Sequence, residues 1–285
     1  MVKNEESNDI SKFERKTITV GIPFYSKTEV NQLIESIESI LNQTLLPQEV
    51  HLIQDGNISK DLQKVVTFYK KKYPILIRHL KPNKKGLPNV LNFSLQNCSS
   101  KYYSRMDSDD ISFNDRLEKQ VAYLEKFSNV DILGTWSIEF ENSIDEKGTF
   151  INQKPNDSKL LRDFFHYKNP LIHPSVVFRM NVFSKIGYYD SSYYNGNDGC
   201  SEDLELWGRA LRNKIIINNL QEPLIYFRTK GIQYRRSRFI SIKRQIRARY
   251  SFNTISPKLN ILKITSIVFR LLPRFIRIWA YKKLR

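Results

Sequence analysis

The feature that most constrains this chain is an alternation between apolar, β-branched runs and segments with helical spacing. Three short runs have the composition of buried strands, and each is followed by a segment whose apolar residues recur every three or four positions. A β-α-β-α-β-α order predicts a parallel sheet with helices on both faces. Ligands bind such sheets beyond the carboxyl ends of the strands. The three runs are Ile18–Phe24, Val50–Ile53 and Ile75–Leu80.

Beyond about residue 110 the alternation gives way to mixed strands and helices. Strands are predicted at Val130–Trp136 and His173–Phe178, and a helix at Glu202–Leu211. The pattern predicts an α/β domain over residues 17–228, with a first half at 17–110 and a mixed α+β half at 111–228. A polar tail (1–16) precedes it and a basic region (229–285) follows. The remaining predicted elements are helices at Asn114–Phe127 and Ser158–Phe165, a hairpin at Glu139–Phe150, and short strands at Ile215–Ile217 and Leu224–Phe227.

The net charge of +17 is concentrated at one end of the sequence. Residues 223–285 contain 17 of the 46 Lys and Arg and no Asp or Glu, which leaves 29 basic against 29 acidic residues in the first 222. A basic appendage on a neutral body argues against a protein that binds nucleic acid over its whole surface. The hydrophobic content of 40 % excludes a disordered chain.

Targeting and spanning segments are not evident in the sequence. The tail before residue 17 is polar and of mixed charge, and no apolar run reaches the roughly 18–20 residues that a membrane-spanning helix needs. Cys98 and Cys200 lack the spacing of a metal site and are too few for a disulfide framework, which suits a reducing compartment. We therefore expect a cytoplasmic protein that meets membranes only at their surface.

The most informative motif places three carboxylates in four positions, at Asp107, Asp109 and Asp110. On an extended backbone, residues i and i+2 face the same way, so Asp107 and Asp109 can reach one ligand together. Crowded carboxylates repel one another, and Mg²⁺ or Mn²⁺ relieves that repulsion. The alternative is an acidic surface turn that caps the following helix, and spacing does not separate the two interpretations.

Five other polar residues are candidates, each with an ordinary structural alternative. Asp55 follows a strand, where it contacts a base or ribose or else forms an Asx turn. Glu202 and Asp203 open a helix, where they act as a general base or only complement the helix dipole. His173 contacts a ligand or makes a structural hydrogen bond. Arg105 contacts a phosphate or forms an ion pair.

Seven short motifs occur in order along the chain. They are Thr19–Tyr25, Ser39–Thr44, Gln54–Gly56, Arg105–Asp110, His173–Arg179, Gly187–Asp190 and Glu202–Asp203. Together they resemble the family 2 glycosyltransferases, which have the GT-A fold. The resemblance covers about Ile18 to Arg228, and it is most like the bacterial enzymes that build O-antigen and capsule repeat units.

The resemblance implies a Rossmann-like, mostly parallel central sheet flanked by helices, with the nucleotide-sugar half at 17–110 and the acceptor half at 111–228. Pro23 and Tyr25 would flank the uracil, and Asp55 would bond its imide N–H. Gln54 stands where the family often has a second Asp. Mn²⁺ or Mg²⁺ on the diphosphate would be held by Asp109 and Asp107. The implied nucleotide-sugar residues are Pro23, Tyr25, Asp55, Asn83, Asn92, Arg105 and Asp107.

The resemblance further implies a single displacement that inverts the anomeric centre, which needs one base and no nucleophile. Asp203 is the candidate base and Glu202 the reserve, and Asp110 and His173 would lie on the acceptor side. The expected reaction moves a hexose (glucose, galactose or GlcNAc) from a UDP-sugar to a saccharide on undecaprenyl diphosphate, with a β linkage as the expected product, for O-antigen in lipopolysaccharide. A capsule or other exopolysaccharide is the alternative product, and a basic module that binds nucleic acid or membrane without catalysis is the alternative class.

The basic region predicts an amphipathic helix between Ile261 and Trp279. Such helices lie in a membrane interface with their cations towards anionic headgroups, so we expect peripheral attachment to the inner face of the cell membrane and no nucleic-acid partner. The alternative is a helix whose apolar face packs on the domain. Arg235, Arg236 and Arg238 would meet the acceptor diphosphate. The basic face holds Lys263, Arg270, Arg274 and Arg277, and the apolar face Ile261, Ile264, Val268, Leu271, Leu272, Phe275 and Trp279.

Overall fold

The first half of the chain folds into parallel strands covered by helices. A computed structural model describes residues 17–144, 149–194, 201–229, 239–273 and 276. Strand β1 pairs in parallel with β2 on one side and with β4 on the other, and β2 pairs in parallel with β3. The strands are β1 (Ile18–Tyr25), β2 (Glu49–Asp55), β3 (Ile77–Leu80) and β4 (Tyr102–Arg105). The helices are α1 (Val30–Leu41), α2 (Lys60–Lys72) and α3 (Leu87–Gln96).

Burial on both faces of β1 explains why its sequence is almost continuously apolar. Every residue of β1 before Tyr25 is buried, and α1 covers one face with Leu33, Ile37 and Ile40. Alternating polar residues are not tolerated in a strand that is enclosed by helices on both sides. The predicted α/β alternation is therefore confirmed.

The second half adds mixed pairings to the same sheet. Across the described ranges, nine strands form one sheet in the order β3-β2-β1-β4-β8-β6-β9-β5, with β7 paired to β6. Strand β8 runs antiparallel to β4 and β6, whereas β9 runs parallel to β6. The added strands are β5 (Ile111–Ser112), β6 (Ile132–Phe140), β7 (Phe150–Asn152), β8 (Val177–Arg179) and β9 (Ile217–Arg228). The added helices are α4 (Arg116–Lys126), α5 (Ser158–Phe165), α6 (Val182–Ile186) and α7 (Glu202–Arg212).

Three predicted strands differ from the structure for local reasons. The sequence predicts separate strands at Ile215–Ile217 and Leu224–Phe227, but β9 is continuous and changes register against β6 around Trp136. Its polar middle interrupts the apolar pattern without interrupting the pairing. His173–Ser175 is one turn of 3₁₀ helix rather than strand, because Pro174 has no N–H for a ladder. The domain limits at residues 16, 110 and 228 stay predictions.

Two helices follow β9, and their packing reverses an expectation about the basic region. Helix α8 (Phe239–Arg249) packs on α7, and α9 (Pro257–Leu271) packs on α8. The buried residue of α9 is Lys263, whereas Ile261 and Ile264 on its other side are 64 % and 53 % exposed. Lys263 is thus turned into the protein rather than towards headgroups. Arg235, Arg236, Arg238, Arg274, Phe275, Arg277, Trp279, Cys200 and the tail 1–16 lie outside the described residues.

Within the described parts of the chain, no helix combines the length and the apolar content that crossing a membrane requires.

The close contact between Gly21 on β1 and Tyr103 on β4 predicts that adding one methyl group at Gly21 destabilises the fold. A Cβ at Gly21 would overlap the Tyr103 Oη atom, which donates a hydrogen bond to Ser94 Oγ at 2.9 Å. We expect Gly21→Ala to lower the free energy of unfolding by about 1–3 kcal/mol, as overpacking does in cores. Urea unfolding of Gly21→Ala, Tyr103→Leu and the double variant checks this. The loss of stability in the double variant should be clearly less than the sum of the losses in the two single variants, because Tyr103→Leu removes the atom that the added methyl group overlaps. A loss equal to that sum would contradict the overlap.

Candidate active site

The carboxyl end of β4 carries a turn that gathers three carboxylates. Asp110 N–H donates to Asp107 O at 3.4 Å, and Ser36 Oγ on α1 donates to the same oxygen at 2.9 Å. One carboxylate oxygen from each of Asp107, Asp109 and Asp110 lies within 4.8 Å of the others. We call residues 107–110 the acidic turn. An extended backbone would pair only Asp107 with Asp109, but the turn also brings in Asp110, which the resemblance assigns to the acceptor side.

Asp110 differs from the other two carboxylates of the acidic turn in its burial. It is fully buried, and its Oδ1 atom accepts a hydrogen bond from Arg228 N–H at 2.8 Å. Its Oδ2 atom is buried and has no hydrogen-bond partner among the described residues. Burial, together with the charges of Asp109 and Asp107, raises the pKa of Asp110 well above its ordinary value. An orphaned buried oxygen beside two further carboxylates fits a divalent cation, and oxygen ligands of this kind suit Mg²⁺ or Mn²⁺.

Two buried arginines lie directly behind the acidic turn. Arg105 is 3 % exposed, and its Nη2 atom pairs with Asp107 Oδ1 at 2.6 Å. Arg116, at the start of α4, donates through Nη2 to Arg105 O at 2.9 Å and to Ser104 Oγ at 3.0 Å. Burial lowers the pKa of Arg116 to about 9, which is still high enough to keep its charge at neutral pH. Sequence reasoning identified Arg105 and missed Arg116, because a buried arginine has no sequence pattern that sets it apart from an exposed one.

The residues predicted to contact the uracil lie at or near the carboxyl ends of the neighbouring strands β1 and β2. Tyr25 and Asp55 are cross-strand neighbours at the ends of β1 and β2, and Tyr25 is 40 % exposed. Pro23 is buried within β1. Asp55 Oδ1 accepts a hydrogen bond from Gly86 N–H at 2.9 Å, and Asn83 is exposed in the same β3–α3 loop. The edge therefore offers an exposed ring and a carboxylate side by side, and the roles of these residues stay predictions.

Asn92 joins the two halves of the domain. Its Nδ2 atom donates to Tyr189 O at 2.8 Å, and its Oδ1 atom accepts from Tyr189 N–H at 2.9 Å. Both amide atoms are thus engaged with one peptide segment of the second half. A direct contact between Asn92 and the nucleotide sugar stays a prediction.

His173 lies in a buried cluster beside Arg105. Its Nε2 atom shares a hydrogen bond with Tyr189 Oη at 2.8 Å, and Trp207 packs edge-on to its ring. Burial and the Arg105 charge lower the pKa of His173 well below its ordinary value, so the ring is neutral at physiological pH. Burial raises the pKa of Tyr189, and the charges of Glu202 and Asp203 add to that effect. The cluster lies between Arg105 and α7, the helix to which Trp207 belongs.

The two candidate bases at the start of α7 differ in access to solvent. Glu202 is 2 % exposed, whereas Asp203 is partly exposed. Asp203 Oδ2 accepts a hydrogen bond from Asn169 Nδ2 at 2.6 Å, which orients the carboxylate. The geometry favours Asp203 over Glu202 for a role that requires contact with an incoming hydroxyl. Asn169 is a second residue that the sequence analysis missed, and no motif in the sequence indicated it.

The raised pKa of Asp110 predicts how the metal-free protein responds to pH. Unfolded Asp titrates near about 3.9. Because the folded state holds the Asp110 proton more tightly, the contribution of Asp110 to stability is greatest below that pH and is lost as the pH rises through its folded-state pKa. We expect Asp110→Asn to remove this loss and to raise the melting temperature in EDTA at neutral pH. Thermal unfolding across the pH range measures it.

The matched control for Asp110→Asn is Asp61→Asn, which neutralises an exposed carboxylate far from the acidic turn. Added Mn²⁺ should raise the melting temperature of the wild type and of Asp61→Asn, because a ligand of the native state stabilises it. The response of Asp110→Asn should be smaller. Equal responses in all three proteins would show that Asp110 is not part of a cation site.

Comparison with known proteins finds a matching family model and relatives of similar sequence. The family model described as "Glycosyl transferase family 2" matches residues 19–187. The UDP-Gal:alpha-D-GlcNAc-diphosphoundecaprenol beta-1,3-galactosyltransferase of Escherichia coli is 32 % identical over 282 residues, which cover 97 % of this chain and 98 % of that protein. The amylovoran biosynthesis glycosyltransferase AmsE of Erwinia amylovora is 32 % identical over 74 % of this chain and 75 % of its own length.

Solved structures share the fold at low sequence identity. Staphylococcus aureus TarS 1–349 in complex with UDP-GlcNAc has a TM-score of 0.62 at 16 % identity, over 89 % of this chain and 72 % of that one. The mannosyltransferase PcManGT from Pyrobaculum calidifontis, in complex with GDP-Man and Mn²⁺, has a TM-score of 0.61 at 14 % identity, over 92 % and 72 %. The expected GT-A fold is confirmed. A family model that matches more than half of the sequence, and a relative that matches nearly all of it, establish that this chain is a glycosyltransferase of family 2.

Proposed function

We propose that the chain transfers a hexose from a UDP-sugar to a saccharide carried on undecaprenyl diphosphate, with galactose as the leading donor sugar and GlcNAc as the leading acceptor. The observation that carries the proposal is the acidic turn at the carboxyl end of β4, next to the Tyr25–Asp55 edge. Support for the sugars comes from the name of the E. coli relative, which this chain matches almost end to end. The product would enter an O-antigen or another surface polysaccharide.

The proposed reaction is one displacement at the anomeric carbon. The acceptor oxygen forms a bond to this carbon while the bond from the carbon to the β-phosphate oxygen breaks, and UDP leaves. Asp203 receives the proton of the acceptor hydroxyl, held in orientation by Asn169. Inversion of an α-linked UDP-sugar gives the β linkage. No covalent sugar–enzyme intermediate is needed, so one base is sufficient.

The acidic turn would supply the ligands of the divalent cation. Asp107, Asp109 and Asp110 provide its oxygen atoms, and Arg105 holds Asp107 in place. A bound Mn²⁺ or Mg²⁺ would neutralise the negative charge that develops on the diphosphate leaving group. Neutral His173 and Tyr189 would border the acceptor without competing for its proton.

Release of UDP tests the transferase proposal. Purified enzyme is incubated with UDP-Gal, UDP-Glc or UDP-GlcNAc, Mn²⁺, and a synthetic lipid bearing α-GlcNAc-diphosphate. We expect acceptor-dependent release from UDP-Gal, its loss in EDTA, and an anomeric proton coupling in the product that is typical of a β linkage. Asp203→Asn should lower kcat by about 10²–10⁴-fold, as loss of a general base does.

Two variants show whether the effect belongs to Asp203. Asp61→Asn makes the same chemical change on an exposed helix and should keep full activity. Glu202→Gln removes the neighbouring carboxylate and should lower kcat less than Asp203→Asn does. Full activity in Asp203→Asn would assign the base elsewhere. Release from a different UDP-sugar would correct the donor, and absence of metal-dependent UDP binding would refute the proposal.

We further propose that α9 contacts an anionic membrane surface, where a lipid-linked acceptor is found. Its outward face exposes Ile261, Ile264, Val268 and Leu271. Exposed apolar residues that lie together on one helix face are typical of an interaction surface. The sequence around them has no acidic residue after Glu222, which suits anionic headgroups. The acid-free stretch and the apolar face thus fit the same partner.

Vesicle sedimentation tests the membrane proposal. We expect binding to vesicles that contain phosphatidylglycerol, weaker binding to pure phosphatidylcholine, and weakening by salt. Replacing Ile261, Ile264 and Val268 with Gln should reduce binding at least about tenfold, since burying one such side chain contributes on the order of 1.5–3 kcal/mol.

The matched control for this triple variant places the same three substitutions at Leu46, Ile75 and Ile151, which are exposed apolar residues outside α9. The control should bind vesicles as the wild type does. Equal binding by both triple variants would exclude α9 as the contact and would leave the transferase proposal intact.

A further inference from the structure

Arg228, the last residue of β9, makes two contacts with the acidic turn. Its main-chain N–H donates to Asp110 Oδ1 at 2.8 Å, and its Nε atom donates to Asp109 O at 2.9 Å. The two contacts reach consecutive residues of the turn from one side. Arg228 thereby constrains both a carboxylate of the acidic turn and the main chain that carries its neighbour.

The rest of the Arg228 side chain is held by three other parts of the domain. Its Nη1 atom donates to Asn142 O at 3.2 Å, and its Nη2 atom donates to Glu35 Oε2 on α1 at 2.7 Å. The guanidinium lies over the ring of Phe140, 4.4 Å from the centroid. Each guanidinium nitrogen therefore has a hydrogen-bond acceptor, and the side chain is 8 % exposed. These contacts hold the Arg228 guanidinium in a defined orientation.

We infer that Arg228 is a positioning residue that fixes the acidic turn in the shape that binds the divalent cation. The inference rests on the proposal that this turn holds the cation. Three carboxylates within 4.8 Å repel one another, and this repulsion favours an open turn over the observed shape unless the backbone is restrained. Arg228 supplies that restraint at Asp109 O without occupying a carboxylate oxygen of Asp109. Residues that orient metal ligands in this way contribute strongly to metal affinity.

Restraint of the acidic turn by Arg228 requires the planar, multiple-donor geometry of a guanidinium group. Arg228 donates in three directions at once while its face stacks on Phe140. A lysine at this position would bring one ammonium on a flexible stem, which cannot reproduce that geometry. Arg228→Lys should therefore restore little of what Arg228→Ala loses, although it retains the positive charge.

A surface pocket beside Arg228 makes a chemical test possible. The pocket has a volume of about 340 Å³ and is lined by Arg228, Glu35, Ser39, Asn114 and others. Truncation of Arg228 would extend this pocket to Asp109 O. A small guanidinium compound added to the solution can then enter and donate to the same acceptors.

The experiment measures Mn²⁺ binding directly, by electron paramagnetic resonance of free Mn²⁺ in the presence of UDP. We expect Arg228→Ala to weaken Mn²⁺ binding by about 10- to 100-fold, the usual effect of removing a residue that orients metal ligands. Methylguanidine should restore part of the affinity, whereas methylammonium should not. Melting temperatures are recorded alongside.

Arg179→Ala is the matched control. Arg179 also donates to a carbonyl, Val130 O at 2.7 Å, and lies over the ring of Tyr102, at the opposite end of β4 from the acidic turn. Its loss should lower the melting temperature and leave Mn²⁺ binding unchanged. Equal Mn²⁺ affinity in Arg228→Ala and the wild type would overturn the inference while leaving the proposed function standing. Failure of the wild type itself to bind Mn²⁺ with UDP would overturn both.

Discussion

Repulsion among Asp107, Asp109 and Asp110 is the constraint around which the centre of the molecule is organised. Their oxygens lie within 4.8 Å of one another, and one of the three residues is fully buried. Unbalanced carboxylates at such a separation are costly, and the cost rises as water is excluded. The surrounding groups are best understood as means of holding the turn in this shape.

Three arginines, from β4, α4 and β9, surround the acidic turn or support its main chain. Arg105 lies below it and pairs with Asp107, while Arg116 fixes the main chain of Arg105 from α4. Arg228 approaches from β9 and bonds to the main chain at Asp109. Two of these arginines act largely through carbonyl oxygens, so they set backbone position and leave carboxylate oxygens for a cation. Under the proposed function, a divalent cation would add further positive charge at the carboxylate oxygens of the turn.

The sequence predicted the first half of the fold well, because strands such as β1 that are enclosed on both faces must be apolar. It predicted the residue types of the site for a similar reason: Asp107 and Asp109 stand at the end of a strand, where ligands bind. It did not predict that Asp110 joins them, since that depends on a turn. It also missed Arg228, whose partner Asp109 is 119 positions away, because no local pattern records a contact over that distance. The sequence pattern predicted two strands in place of the continuous β9, because the middle of β9 is polar.

The direction of α9 illustrates the same limit of sequence patterns and has a larger consequence. Periodicity separates a basic face from an apolar face, but it does not say which one packs inward. Lys263 packs inward, where it donates to Phe252 O at 3.3 Å and lies 4.7 Å from the Tyr250 ring centroid. Burial and the neighbouring Arg249 charge lower the pKa of Lys263, so its charge is held at some cost. A packing that buries a lysine and exposes Ile261 and Ile264 is understandable if the exposed face has a partner of its own. An apolar surface on an enzyme whose proposed acceptor carries a lipid gives that packing a physical reason.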